Sequence, residues 1–234
     1  MRSFAAFAPH EGLAETLLNR VQALEEAGRE RSVAGIVHDG AHDMAHLQRV
    51  WRNAMMLHAQ EGGDAIVLAA AVLLHDCVSV EKNSPLRSQA SRLAAAQAEA
   101  ILAALGWSQP QIAAVSHAIA AHSFSAGIAP QTLEARILQD ADRLDAIGLI
   151  GVARCFYTAG RMGSKLYSPI DPKAQQRPLD DAAFATDHFR AKLLRLQDGF
   201  TTQSGQRLAA SRTEDIRQFL ERFEEEIGAH TTSH

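Results

Sequence analysis

An all-helical fold is predicted by three features of this chain. Apolar residues recur at three- and four-residue spacing almost throughout, the pattern of helices with one buried face. Strand-like alternation is nearly absent. Helix start and stop residues punctuate the pattern at regular intervals.

The elements follow in order. Leu13, Leu17, Val21 and Leu24 form one stripe and predict a first helix from about Leu13 to Ala27, with Gly28 beyond its end. A second helix is expected from about Asp43, its candidate N-cap, to Gln60, with Leu47, Val50, Ala54 and Leu57 inward. The break at residues 61–64 leaves Asp64 to cap a third helix through the apolar run DAIVLAAAVLLHD. Residues 79–88, polar and containing Pro85, read as a loop. An Ala-rich helix runs on to Leu105 and stops at Gly106. Ser108 and Gln111 have the spacing of a capping box and open a helix carrying His117 and His122. Thr132 is the expected cap of one long helix through Asp142 to about Ala159. Gly160 to Gly163 and the Pro-containing stretch 168–181 make the one long connection. A helix from about Asp181 to Gln197 follows. The last helix carries Ile216, Phe219, Leu220, Phe223 and Ile227 on one stripe, which suits internal packing or a contact between two copies in a homodimer.

Composition narrows the function classes. The 234 residues are 47% hydrophobic and 21% charged, a globular balance. A net charge of -4 gives no global basic footprint, so no duplex nucleic acid partner is expected. Two cysteines, Cys77 and Cys155, make no disulfide framework and fit a reducing cytoplasm. No run reaches membrane-spanning length, and the N-terminus lacks the features of a secretory signal, so a cytoplasmic location without membrane contact is expected.

His46, the pair His75-Asp76 and Asp142 carry the chemistry. Two imidazoles and two carboxylates suit a hard-to-borderline divalent ion. The pair ends a long apolar run, and Asp142 and Asp145 share a helical face with Leu138 and Leu149, where a carboxylate is costly unless paired or metal-bound. Taken singly, His46 also reads as a core histidine, His75-Asp76 as a helix cap and Asp142 as half of an ion pair.

The words AHDMAHLQRV (41–50), LLHD (73–76) and LQDADRLDAIG (138–148) hold these residues in order. The pattern resembles the HD superfamily of metal-dependent phosphohydrolases. LDDAAFATDHFRAKLLRL (179–196) and TTQSGQRLAASR (201–212) are similar to a small bacterial single-domain subfamily. The resemblance covers about residues 30–228 and implies one compact helical domain over 1–234, with short flexible tails. It further implies hydrolysis of phosphoester or phosphoanhydride bonds with one divalent ion, Mn²⁺ or Mg²⁺ foremost and Fe, Co or Ni as alternatives. His46, His75, Asp76 and Asp142 become its ligands, with Asp142 rather than Asp140 as the acidic one. Cys77 departs from the aliphatic residue usual after the His-Asp pair and reads as a small buried hydrophobe.

Around that ion, Lys82 and Arg87 on the 79–88 loop are candidate phosphate contacts, with Asn83, Ser84, Ser88 and Ser91 as neutral donors. His122 is the candidate proton donor or phosphate contact, and His117 projects to another side of the same helix. Asp76 and Asp145 are further candidates for acid–base work. Arg49 and Arg143 are candidate substrate contacts or structural ion-pair partners. The expected substrate is a small phosphate compound, a nucleotide such as a (d)NTP cleaved to pyrophosphate. Two other classes remain: a nucleotide-sensing module that keeps the metal without turnover, and a di-iron oxygenase, which needs more histidines than converge here.

Overall fold

A computed structural model describes residues 4–29, 44–78, 80, 87–123 and 126–228. Among these the chain is helical without a sheet, as expected. It divides into two compact units, Met1–Asp142 and Arg143–His234. No helix among the described residues is long and apolar enough to cross a membrane.

The first unit is organised around α3 (Ala65–Leu74). Every residue from Val67 to Leu74 is buried, so this helix is apolar on all sides and must be enclosed by others. α1 (Glu11–Arg29), α2 (Met44–Glu61), α4 (Ala90–Ala104) and α5 (Gln109–His122) pack around it. Asp64 starts α3 as expected, its carboxylate accepting from the Ile66 and Val67 amides at 2.9 and 3.0 Å. The core begins at Phe7, well before residue 30, with Phe7, Ala14 and Leu17 fully enclosed. α1 runs through Gly28 instead of stopping before it, and Leu24, expected inward, is exposed. The candidate cap Asp43 lies outside the described residues. α5 opens on the expected motif, with Gln111 Oε1 accepting from the Ser108 amide and hydroxyl at 3.3 and 2.7 Å. α6 (Leu133–Leu144) starts at Thr132, whose hydroxyl accepts from the Ala135 amide at 3.2 Å.

The long helix expected from Thr132 to Ala159 is in fact two. α6 ends at Leu144 and α7 runs over Gly148–Met162. Gly148 takes a left-handed φ of +69°, and a Cβ there would press on Arg212 at 3.2 Å. A Cβ at Gly151 would collide with the Ala146 carbonyl, so the two glycines permit a turn that periodicity cannot reveal. Leu149 is exposed in consequence and does not continue the α6 face.

In the second unit α7 packs against α8 (Ala185–Ala191) and α9 (Gln203–Glu226). Phe156, Phe189, Phe219 and Phe223 form its aromatic core, with Phe156 5.6–6.0 Å from the other three. The helix expected over Asp181–Gln197 is only α8 followed by a 3₁₀ stretch, Leu193–Gly199. Its start is displaced because the chain before it bonds to the strap after α7. The Ala185 and Thr186 amides donate to the Lys165 and Leu166 carbonyls at 2.8 and 3.0 Å. Lys192 (φ -135°, ψ -60°) then leaves helical geometry. Thr202 caps α9, accepting from the Gly205 amide at 3.0 Å, and Arg212 donates to the Leu144 carbonyl. His188 Nδ1 donates to the Asp181 carboxylate at 2.9 Å.

Asp187 is one of the second unit's buried anions. Burial alone pushes its carboxyl up, but the Arg177 guanidinium and the Asp180 amide outweigh that and hold it below the usual carboxylate range. A depressed folded value stabilises above the unfolded pKa, about 3.9, and is lost as pH falls through the folded value. Asp187→Asn is therefore expected to lower the melting midpoint at pH 7, for a loss on the order of 2 kcal/mol. The gap to wild type should close as pH drops below about 4. Thermal melts from pH 7 to 3 measure it, and a gap independent of pH would contradict it.

Candidate metal centre

The site residues lie at helix ends. His46 is in the first turn of α2, on the buried stripe with Val50, Asn53, Ala54 and Leu57. His75 is the residue at the C-terminal cap of α3, followed by Asp76. His122 closes α5, and Asp142 sits in the last turn of α6. Three helix C-termini thus present their partial negative charge to one place, which favours a cation there.

The distances are short. His46 Nε2 lies 3.6 Å from Asp76 Oδ2 and 3.5 Å from Asp142 Oδ1. His75 Nε2 lies 3.5 Å from Asp76 Oδ2, and His122 Nε2 3.9 Å from Asp76 Oδ1. His46, His75 and Asp142 offer donor atoms within 4.8 Å of one another, as do His75, Asp76 and His122. Both His46 and His75 are 1% exposed, whereas the Asp76 and Asp142 side chains are 40% and 29% exposed. The imidazoles form a buried floor and the carboxylates its rim.

The tautomers can be argued from the partners. His75 Nδ1 is 2.7 Å from the Val72 carbonyl, which can only accept, so Nδ1 carries the proton. Burial, against the opposing pull of Asp76, lowers the His75 pKa, and the ring is neutral at pH 7. Its Nε2 then has a lone pair, is buried and has no hydrogen-bond partner among the described residues. That lone pair faces a carboxylate oxygen, an arrangement of two acceptors that is repulsive until a cation joins them. His122 Nδ1 is held the same way, 2.6 Å from the Ile119 carbonyl, which aims Nε2 at Asp76. A backbone carbonyl on Nδ1 is the usual way a ligating histidine is oriented. Donors about 2.1 Å from a six-coordinate ion stand about 3 Å apart, so separations of 3.5–3.9 Å need only a small contraction. The residues fit a divalent ion, and their nitrogen and oxygen donors suit Mn, Mg, Fe, Co or Ni.

The other candidates are placed as follows. His117 accepts from the Gln131 amide at 3.0 Å through Nε2, away from the group around His122 as the helical spacing predicts. Arg49 is half-buried on α2, one turn beyond His46. Lys82, Asn83 and Ser84 lie outside the described residues. Arg87 begins a 3₁₀ turn, and its side chain is likewise outside them. Ser91 donates to the Ala120 carbonyl at 3.1 Å. Cys77 is half-buried and donates to the Ala94 carbonyl at 3.5 Å. In the second unit Asp145 accepts from Arg154 at 2.9 Å, and Arg143 donates to the Gly199 carbonyl.

Two buried carboxamides went unremarked in the sequence. Asn53 donates to the Ala141 carbonyl at 3.0 Å and Gln139 to the Ala121 carbonyl at 2.8 Å. Their signal was available, since each is a polar residue on a buried helix face. The partners it needs are backbone atoms, which no spacing displays.

Comparison with known proteins bears on the same residues. The HD domain family matches residues 43–147, which include all four candidate ligands. YpgQ of Bacillus subtilis is 31% identical over 214 residues, 88% of this chain and 96% of YpgQ. The crystal structure of an HD-superfamily hydrolase from Bacillus thuringiensis superimposes with a TM-score of 0.67 at 28% identity, covering 94% of this chain and 99% of that one. YpgQ crystallised in complex with ADP gives a TM-score of 0.66 at 29% identity, covering 91% of this chain and 94% of that one.

If the acceptor cluster awaits a cation, Asp142→Asn should relieve repulsion in the metal-free protein and leave its melting midpoint unchanged or higher. The same change should abolish the upward shift that Mn²⁺ produces in wild type. Calorimetry with and without Mn²⁺ reads both, and a variant that keeps the full metal-dependent shift removes Asp142 from the ligand set.

Proposed function

This chain belongs to the HD-domain family, and from that premise we propose that it is a divalent-metal-dependent phosphohydrolase acting on nucleotides. The observation that carries the proposal is the His75 lone pair. Buried and unbonded, it points at the Asp76 carboxylate, with His46, Asp142 and His122 around the same point. A divalent ion held there by His46, His75, Asp76 and Asp142 supplies Lewis acidity toward a phosphate oxygen and toward water.

The chain's own groups do the rest. In hydrolysis, water adds at phosphorus, the bridging oxygen departs, and that oxygen needs a proton. His122 suits the task because its Nδ1 is committed to the Ile119 carbonyl, leaving Nε2 as the one atom that can exchange a proton at the site. Asp76 and Asp142, on the solvent side, accept hydrogen bonds from water and align it. Lys82 and Arg87 follow the His75-Asp76 pair closely in sequence and are assigned to the substrate phosphates, where cations offset developing negative charge. Arg49, near His46, is assigned to the same task. The complex of YpgQ with ADP supports a nucleotide as the class of substrate.

The test is a panel of nucleoside and deoxynucleoside di- and triphosphates with Mn²⁺ or Mg²⁺, assayed for pyrophosphate and orthophosphate separately. Metal-dependent release from at least one nucleotide is expected, and none from any would sink the proposal. His122→Ala should lower kcat by about 100- to 10,000-fold while Mn²⁺ affinity stays within a few-fold of wild type. Arg87→Ala should raise KM more than it lowers kcat.

A further inference from the structure

Asp142 occupies a weak point of its helix. α6 ends at Leu144, so Ala141 holds the last carbonyl that an amide one turn further on can reach, and the carbonyls after it have none within the helix. The Ala141 carbonyl belongs to the peptide unit that carries Asp142. Held by the helix's terminal bond alone, which is the first to fray, that carbonyl could tilt toward solvent and swing the Asp142 side chain with it. Asn53 prevents this, donating from Nδ2 at 3.0 Å in a buried setting, where it is 4% exposed. Asn53 lies two helical turns beyond His46 on the same buried stripe of α2. One helix therefore supplies a candidate ligand and also anchors the peptide of another.

The anchor is chemically selective. A lysine or arginine could cap the same carbonyl, but its charge would oppose a cation at the site. An apolar residue would leave the carbonyl with the helix's terminal bond alone. A neutral amide meets both demands. We propose that Asn53 is a positioning residue that sets the affinity of the site for its divalent ion by fixing Asp142, an inference that rests on the metal reading above.

The experiment compares three proteins stripped of metal: wild type, Asn53→Leu and Ile137→Val. Ile137 is fully buried on α6, and its variant costs packing without touching the Ala141 carbonyl. Mn²⁺ affinity is measured by titration calorimetry and melting midpoints by scanning calorimetry, with no substrate present. Asn53→Leu is expected to weaken Mn²⁺ binding by about 10- to 100-fold, the usual effect of removing a group that orients a ligand. Ile137→Val should change it by less than about threefold despite a lowered midpoint. Asn53→Leu with near wild-type affinity overturns the proposal. So does loss of affinity in both variants in step with their midpoints, which would make Asn53 a general packing residue. If Asn53→Leu does not fold, Asn53→Ser, with a shorter donor, replaces it under the same criteria. Wild type that binds no Mn²⁺ overturns the metal reading itself, a result distinct from any difference between variants.

Discussion

Everything at this site follows from lone pairs brought face to face. His75 Nε2 is buried, its ring is neutral, and its neighbour is a carboxylate oxygen. Protein interiors seldom hold acceptors against acceptors, because each has been removed from water without a donor in exchange. The arrangement persists because α3 cannot move. Its enclosure on all sides places His75 wherever the packing of α1, α2, α4 and α5 dictates. The stability of the apolar core thus sustains a polar cluster that is unfavourable by itself, and a cation resolves the conflict.

Helix ends are the second ingredient. Carbonyls in the last turns of a helix are weakly bonded or unpaired, and three such ends meet here. The chain satisfies them with neutral donors. His122 serves Ile119, Ser91 serves Ala120, Gln139 serves Ala121 and Asn53 serves Ala141. Each donor fixes a carbonyl beside a candidate site residue without introducing positive charge. Local capping and the electrostatics of the site are therefore parts of one solution.

Charge is treated differently in the second unit. There Asp187 and Glu224 are buried against Arg177, Arg190 and Lys173, and Asp145 against Arg154. Every one of these anions has a fixed cationic partner, the ordinary way to bury a carboxylate. The carboxylates at the candidate metal centre have imidazole nitrogens among their near neighbours. Asp142 and Asp145, three residues apart, thus have different surroundings.

Much of this was legible in the chain by itself. Helical class, the Asp64 and Thr132 caps, the Ser108 box and the central apolar run are local properties, and local spacing and side-chain chemistry determine them. The four candidate ligands could be singled out by residue type on helical stretches, but they came together as one set only through the resemblance to the HD superfamily. The tertiary structure decided what depends on distant backbone. The turn at Gly148 that divides α6 from α7 exists because Arg212 and the Ala146 carbonyl crowd glycines that look unremarkable in sequence. The late start of α8 depends on the Lys165 and Leu166 carbonyls. The anchors Asn53 and Gln139 bond to backbone carbonyls 88 and 18 residues away. A carbonyl is identical in every residue, so only folding reveals which one a side chain will meet.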